Sequence, residues 1–216
     1  MKCIILGATG LVGQQLLKLA LIDPRVEQVI APTRRAIAVH PKLLNPIVDF
    51  ARLPMNADWW HADLVLCALG TTMRQAGSRQ AFFAVDHDYV LQAAQACKKA
   101  GTPTWVYNSS LGADAKARSF YLQVKGQIES DLAQIGFTSL GVVRPSFLDG
   151  GPRPEKRIGE AIAIRIAKWI APILPQRYRA VSTNKVARMM WQLGIAKTAG
   201  LRVIESEQIY QLPETS

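Results

Sequence analysis

Residues 1–22 read MKCIILGATGLVGQQLLKLALI, a short apolar run that meets three glycines and passes directly into an amphipathic helical pattern. Lys2 to Leu6 reads as a buried strand, and Leu11 to Ile22 carries Leu16, Leu17, Leu19 and Ala20 at helical spacing until Asp23-Pro24 stops it. Between them Gly7, Gly10 and Gly13 form one variant of the glycine fingerprint, in which the turn is tight and the backbone comes close to a pyrophosphate. Behind that turn the first helical N–H groups are unpaired and sit at the positive end of the helix dipole, so an anion docks there without a charged side chain. A dinucleotide suits the arrangement; a bare strand-to-helix connection is the plainer alternative.

The chain has 216 residues, enough for one large α/β domain with at most a small appendage. At 49% hydrophobic and 19% charged, with a mean hydropathy of +0.08, it has the composition of a compact protein and not of a disordered one. No apolar run is long enough to span a bilayer. The first strand starts at once, leaving no room for a leader segment, and a cytoplasmic location is expected. Cys3, Cys67 and Cys97 lack metal-ligand spacing, as do His40, His61 and His87, so no metal site is expected. The 26 basic and 16 acidic residues give a net charge of +10, which favours anionic partners. Nucleic acid is a poor candidate because no basic run with interleaved aromatics is present.

Val26 to Ala31 reads as a second strand running into Pro32-Thr33-Arg34-Arg35. In dinucleotide folds this strand end meets the adenosine ribose, where an acidic residue holds a free 2′-hydroxyl and a basic one accommodates a 2′-phosphate. Glu27 falls near the strand's start, whereas Arg34 and Arg35 stand at its end, so NADP(H) is favoured over NAD(H). Pro46-Ile47-Val48 is expected to make a short third strand ending in Asp49-Phe50, where Asp49 either reaches the adenine or caps a turn. Ala62 to Leu69 suits a central parallel strand and leads into Gly70-Thr71, in the crevice where such sheets bind ligands. Arg74 to Ser78 reads as a mobile polar loop, and a long helix is expected over 81–99 with Phe82, Val85, Tyr89, Ala93 and Ala96 on one face. Pro103 to Asn108 is the fifth strand, followed by Ser109-Ser110-Leu111-Gly112.

Tyr121 and Lys125 are four residues apart, which on a helix places them on one face. Hydride transfer to a carbonyl needs a proton donor at the oxygen, and a free tyrosine, with a pKa of about 10, is sluggish near neutrality. An ammonium one turn away favours the phenolate and corrects this. Ser110, or Ser109 beside it, is placed to fix the substrate oxygen. A surface tyrosine and lysine on an amphipathic helix is the bland reading of the same spacing.

With GATGLVG at 7–13, SSLGAD at 109–114, YLQVKG at 121–126 and RPSFLDG at 144–150, the chain resembles the short-chain dehydrogenase/reductase superfamily. More closely it resembles a bacterial member of the atypical, Tat-interacting oxidoreductase-like branch. The resemblance implies a doubly wound parallel sheet of Rossmann type. It also implies NADP binding at Gly7, Thr9, Gly10, Leu11, Val12, Gly13 and Arg34, to which the reading of the strand ends adds Arg35, Asp49, Phe50, Leu69, Gly70, Thr71, Asn108, Arg144 and Pro145 as candidate cofactor contacts. Tyr121 would be the proton donor, Lys125 its partner and ribose ligand, and Ser110 or Ser109 the stabilising hydroxyl. Many similar proteins carry an asparagine on the fourth helix that supports a proton relay; here the stretch is Phe83-Ala84-Val85-Asp86-His87-Asp88, so that relay is in question.

Gly126 to Ile135 continues the helix, Ser139 to Val143 is the sixth strand, and Leu201 to Ile204 a last one. Residues 146–200 are expected to form most of a minor substrate-side lobe, entered through Gly150-Gly151-Pro152 and including an amphipathic helix at 158–173 and a helix at 186–193. The first of these helices reads as a cover for the pocket or for a subunit partner, with a membrane-surface role as the alternative; a homodimer through the helices following the fourth and fifth strands is what the resemblance implies. The expected activity is hydride exchange between NADP(H) and a small carbonyl or alcohol. The rival is a cofactor-sensing binding protein on the same fold.

Overall fold

The computed structural model describes residues 1–149 and 175–213. The elements run β1 (Lys2–Leu6), α1 (Leu11–Ile22), β2 (Gln28–Ile30), β3 (Leu43–Leu44), β4 (Leu64–Cys67), α2 (Met73–Ala76), α3 (Arg79–Phe83), α4 (Tyr89–Lys99), β5 (Thr104–Asn108), α5 (Phe120–Ile135), β6 (Ser139–Arg144), β7 (Leu148–Asp149), β8 (Val181–Ser182), α6 (Thr183–Ala196), β9 (Gly200–Glu205) and α7 (Ser206–Tyr210). Seven strands form one parallel sheet in the order β3-β2-β1-β4-β5-β6-β9, while β7 and β8 make a separate short pair. The chain winds outward from β1 to β3, then returns to lay β4 on the other side of β1. Reversal there opens a crevice at the carboxyl ends of β1 and β4.

Alternation along the strands divides the core into two layers. Ile4, Leu6, Val65, Cys67, Trp105 and Tyr107 face α4 and α5, meeting Val90, Ala93, Cys97, Ile128 and Leu132. Cys3, Ile5, Leu64, Leu66 and Val106 face α1 and α6, meeting Leu16, Ala20, Val186, Met190 and Trp191. Covering on both faces explains why the central strands read as nearly unbroken apolar runs. The helix at Thr183–Ala196, longer than the expected 186–193, thus belongs to the main body. The expected helix at 158–173 lies outside the described residues, as does the glycine-proline entry from Gly150.

Three local expectations change. The third strand is Leu43–Leu44, and Ile47 makes only an isolated bridge to Thr33. Pro46 has no N–H for the ladder, and Asn45 fills the break, its amide donating to the Ala31 carbonyl at 2.6 Å and to Thr33 Oγ1 at 2.8 Å. Residues 73–76 form a helical turn where a polar loop was expected: Thr72 Oγ1 accepts from the Gln75 N–H, and Gly77 closes the turn in the left-handed region at φ 77°. The helix expected over 81–99 begins at Arg79 behind a Ser78 cap, and its turn at Ala84–Asp88 widens to π geometry. That turn buries both Asp86 and His87.

Helix α5 sits close to the loop that leaves β5. A Cβ on Gly126 would lie 2.2 Å from the Ala115 nitrogen, and backbone cannot step aside as a flexible side-chain end can. Gly126→Ala is expected to destabilise the fold by about 2–3 kcal/mol, read as a lower midpoint in chemical denaturation; an unchanged midpoint would show that α5 can move outward freely.

Candidate functional site

The glycine turn closes the crevice from below. Gly7 adopts φ 79°, and the Gly10 N–H donates to its carbonyl at 2.9 Å. A Cβ on Gly7 would stand 2.5 Å from the Ala68 carbonyl oxygen, and one on Gly13 would stand 2.0 Å from the Gly7 oxygen. Only glycine permits β1, the loop after β4 and the first turn of α1 to converge like this. Gly10 caps α1 with no side-chain acceptor, which leaves the N–H groups of Leu11, Val12 and Gly13 without intrahelical partners. Thr9 is exposed above them, its carbonyl accepting from Gln14 Nε2 at 3.0 Å.

Along the walls, Arg34 and Arg35 are exposed past the end of β2, and among the described residues neither engages a carboxylate. Glu27 is engaged at the opposite end of the sheet with the Met1 amine at 3.0 Å. Asp49 caps the turn at Phe50–Arg52, accepting from the Ala51 N–H at 3.0 Å, and Phe50 is buried beside Tyr89. Leu69, Gly70 and Thr71 line the crevice after β4. At the end of β5, Asn108 Oδ1 is buried without a hydrogen-bond partner. An orphaned acceptor in a glycine-lined crevice with unpaired helix N–H groups fits a dinucleotide that supplies donors on one side and phosphate on the other.

Tyr121 and Lys125 share a face of α5 but differ in setting. Tyr121 is 37% exposed, its ring 5.7 Å from that of Phe82. Lys125 is 4% exposed, with Nζ 2.8 Å from Asp86 Oδ1 and 2.9 Å from the Tyr107 hydroxyl. Burial works against its ammonium, but the Tyr107, Asp86 and Tyr121 oxygens outweigh it and its pKa is raised well above the usual value. Because that pKa lies above its unfolded value, the stabilisation is fully present below about pH 10 and is lost as pH rises further. Burial pushes the Tyr107 phenol up despite the ammonium beside it, so it is a neutral hydroxyl.

The two serines separate. Ser109 is buried and donates to Glu129 Oε1. Arg144 grips the same carboxylate, with Nε 3.1 Å from Oε1 and Nη2 2.5 Å from Oε2, and reaches Glu205 at 2.9 Å through Nη1. Ser110 is half-buried, and among the described residues its hydroxyl has no partner. Pro145 is buried, its carbonyl accepting from the Leu111 N–H at 2.8 Å. Asn108 and Ser110 thus stand at the carboxyl end of β5, and Tyr121 and Lys125 in the first two turns of the helix that follows, whereas Ser109 and Arg144 are committed to Glu129.

Asp86 and Tyr107 escaped the sequence reading. Asp86 stands four residues from the buried Phe82 and four from the buried Val90, a spacing that marks it as inward-facing. A carboxylate in such a row calls for a buried cation. Among the described residues no group of three or more His, Cys, Asp or Glu is placed to hold a metal, and no helix is long and apolar enough to cross a membrane.

A seven-stranded parallel sheet with this winding and this glycine turn defines a Rossmann-like fold of the short-chain dehydrogenase/reductase type. Among solved structures the chain is similar to MoeE5 in complex with UDP-glucuronic acid and NAD, with a TM-score of 0.73, 18% identity, and coverage of 95% of this chain and 76% of that one. It is also similar to the oxidoreductase ylbE from Lactococcus lactis, with a TM-score of 0.65, 18% identity, and coverage of 98% and 96%. No family model matches. Protein HTATIP2 of Rattus norvegicus is 32% identical over 217 residues, 98% of this chain and 89% of that protein. Protein FMP52, mitochondrial, of Candida albicans is 32% identical over 179 residues, 78% of this chain and 76% of that protein.

The chain belongs to the HTATIP2/FMP52 family. These relatives are eukaryotic, so they establish the branch and lend nothing to a bacterial origin. The cytoplasmic location expected from the sequence is corrected: the FMP52 relatives, from several yeasts, are named mitochondrial. The early start of β1, on which that expectation rested, describes the fold and not its address.

Removing the carboxylate of Glu129 strands Arg144 and Ser109 together. Glu129→Ala is expected to cost about 2–3 kcal/mol of stability, measured by chemical denaturation near pH 7; a cost near zero would mean that Glu205 and water replace the contact.

Proposed function

We propose that the protein is an NADP-dependent oxidoreductase that exchanges a hydride with a small carbonyl or alcohol. The observation that carries the reading is the buried Lys125 ammonium one helical turn from the exposed Tyr121 and close to Gly70 in the loop after β4. The bound cofactor supplies or accepts the hydride. The Leu11, Val12 and Gly13 N–H groups would hold its pyrophosphate, and Arg34 with Arg35 would hold a 2′-phosphate. Lys125 has three N–H donors, of which Asp86 and Tyr107 take two, and the third remains for a ribose hydroxyl.

In the reducing direction the Tyr121 hydroxyl gives its proton to the carbonyl oxygen, and the nearby ammonium supports the phenolate left behind. The hydroxyl of Ser110 donates to the same oxygen and holds it in place. Ser109, tied to Glu129, keeps the strand end in position. In the oxidising direction Tyr121 receives the proton.

Tyr121→Phe is expected to lower kcat at least ~100-fold while leaving NADPH affinity nearly unchanged; a fully active variant would remove Tyr121 as the donor. Side-by-side titration by nicotinamide fluorescence is expected to show tighter binding of NADPH than of NADH, and Arg34→Glu to weaken NADPH by about 10-fold or more. Equal affinities in the wild-type protein would overturn the cofactor preference.

A further inference from the structure

We infer that Asp86 is the positioning residue of this site: one carboxylate keeps the Lys125 side chain charged, aims it, and ties it to the crevice wall. The inference rests on the proposed reading only in what Lys125 is used for. The arrangement is a clamp of three elements. Asp86 comes from the π turn before α4, 1% exposed, and Lys125 from α5. The third is the loop after β4, whose Thr71 N–H donates to Asp86 Oδ2 at 2.7 Å while Lys125 Nζ lies 2.8 Å from Oδ1. Gly70 makes room for it, since a Cβ there would stand 3.0 Å from Asp86 Oδ1 and 3.6 Å from Lys125 Nζ.

Each group that faces the ammonium has a definite charge state or position. Tyr107 on β5 and Cys67 on β4 are buried and held neutral, the Cys67 thiol pushed up to about 12 by burial. Tyr121 lies on the same helix at the open side. Asp86 is the carboxylate among them. A buried lysine without a counter-ion gives up its proton in the neutral range, because desolvation penalises the charged form. Asp86 therefore supplies the counter-charge that the buried ammonium needs, beside the hydrogen bond that Lys125 donates to Tyr107. Asp86 stands in the π turn and in the row of the buried Phe82 and Val90, which turns its carboxylate inward.

The test needs neither substrate nor cofactor. In Asp86→Asn, Lys125 has a depressed folded pKa, so the unfolded chain binds more protons between that value and about pH 10.5. Stability then rises with pH across that window, the folding constant gaining up to about 10-fold per pH unit. Chemical denaturation between pH 6 and 9.5 is expected to show this extra rise in Asp86→Asn and not in wild type, in Lys125→Met or in the double variant D86N/K125M. A pH dependence in Asp86→Asn that matches wild type overturns the inference.

If Asp86→Asn is too unstable to purify, the double variant, which removes the stranded cation, is expected to fold; a double variant no more stable than Asp86→Asn overturns the inference equally. With NADPH as probe, Asp86→Asn should match wild type more closely at pH 7 than at pH 9, where it should bind as weakly as Lys125→Met. Failure of hydride transfer itself would show in the Tyr121→Phe comparison and leave the stability slope untouched.

Discussion

A buried ammonium is the constraint around which the carboxyl end of the sheet is arranged. Taking Lys125 out of water is unfavourable by several kcal/mol unless opposite charge and hydrogen bonds are brought to it, and the structure brings both, from Asp86 and Tyr107. With Lys125 itself those two partners span three elements, so the π turn before α4, α5 and β5 must all be placed before the charge is satisfied. Close packing makes that possible: α5 meets the loop at Asp114 and Ala115 through Gly126, without a Cβ between them. A pair of this kind adds little net stability compared with apolar residues, but it penalises any arrangement that leaves one partner alone. It is therefore better understood as fixing where α5 sits than as holding the fold together.

The first strand, turn and helix were legible in the sequence because their signals are local. Three glycines at fixed spacing between an apolar run and a helical pattern have few structural solutions, and the glycine turn with α1 came out as expected from Leu11 to Ile22. The winding of the sheet followed from the alternation of strands and helices. Legibility ended where a non-local partner decides. The break in the third strand depends on Asn45 reaching back to Ala31 and Thr33, which no periodicity reveals. Asp86 lay in plain view in the stretch 83–88, but its meaning depends on Lys125, some forty residues away in sequence. The missing asparagine drew attention to what that helix lacked, whereas its carboxylate makes direct contact with the lysine.

The choice between Ser109 and Ser110 shows how a single strand distributes its residues. Successive side chains of β5 point to opposite faces. Trp105 stacks on Phe137, Tyr107 meets Lys125, and Ser109, continuing the same phase, meets Glu129. All three therefore face the α4 and α5 layer. Ser110 is out of phase with them and lies past the strand end, where the chain has left the ladder. Adjacent identical residues thus differ in what they can do: one hydroxyl is already committed and buried, and the other is available.

Glu129 makes this division rigid, because it also takes the Arg144 guanidinium, which reaches on to Glu205 at the end of β9. One carboxylate on α5 therefore connects β5, β6 and β9 through Ser109, Arg144 and Glu205, while one turn earlier Lys125 connects to the π turn and the loop after β4. Tyr121, Lys125 and Glu129 follow one another at intervals of four along α5. The row grades from exposed to fixed: a phenol at the solvent-facing mouth, a buried cation held by its counter-ion, and a carboxylate bound on two sides. The exposed phenol therefore stands in the first turn of a helix whose next two turns are anchored, Lys125 by Asp86 and Glu129 by Ser109 and Arg144, so its position is set by contacts it does not itself make.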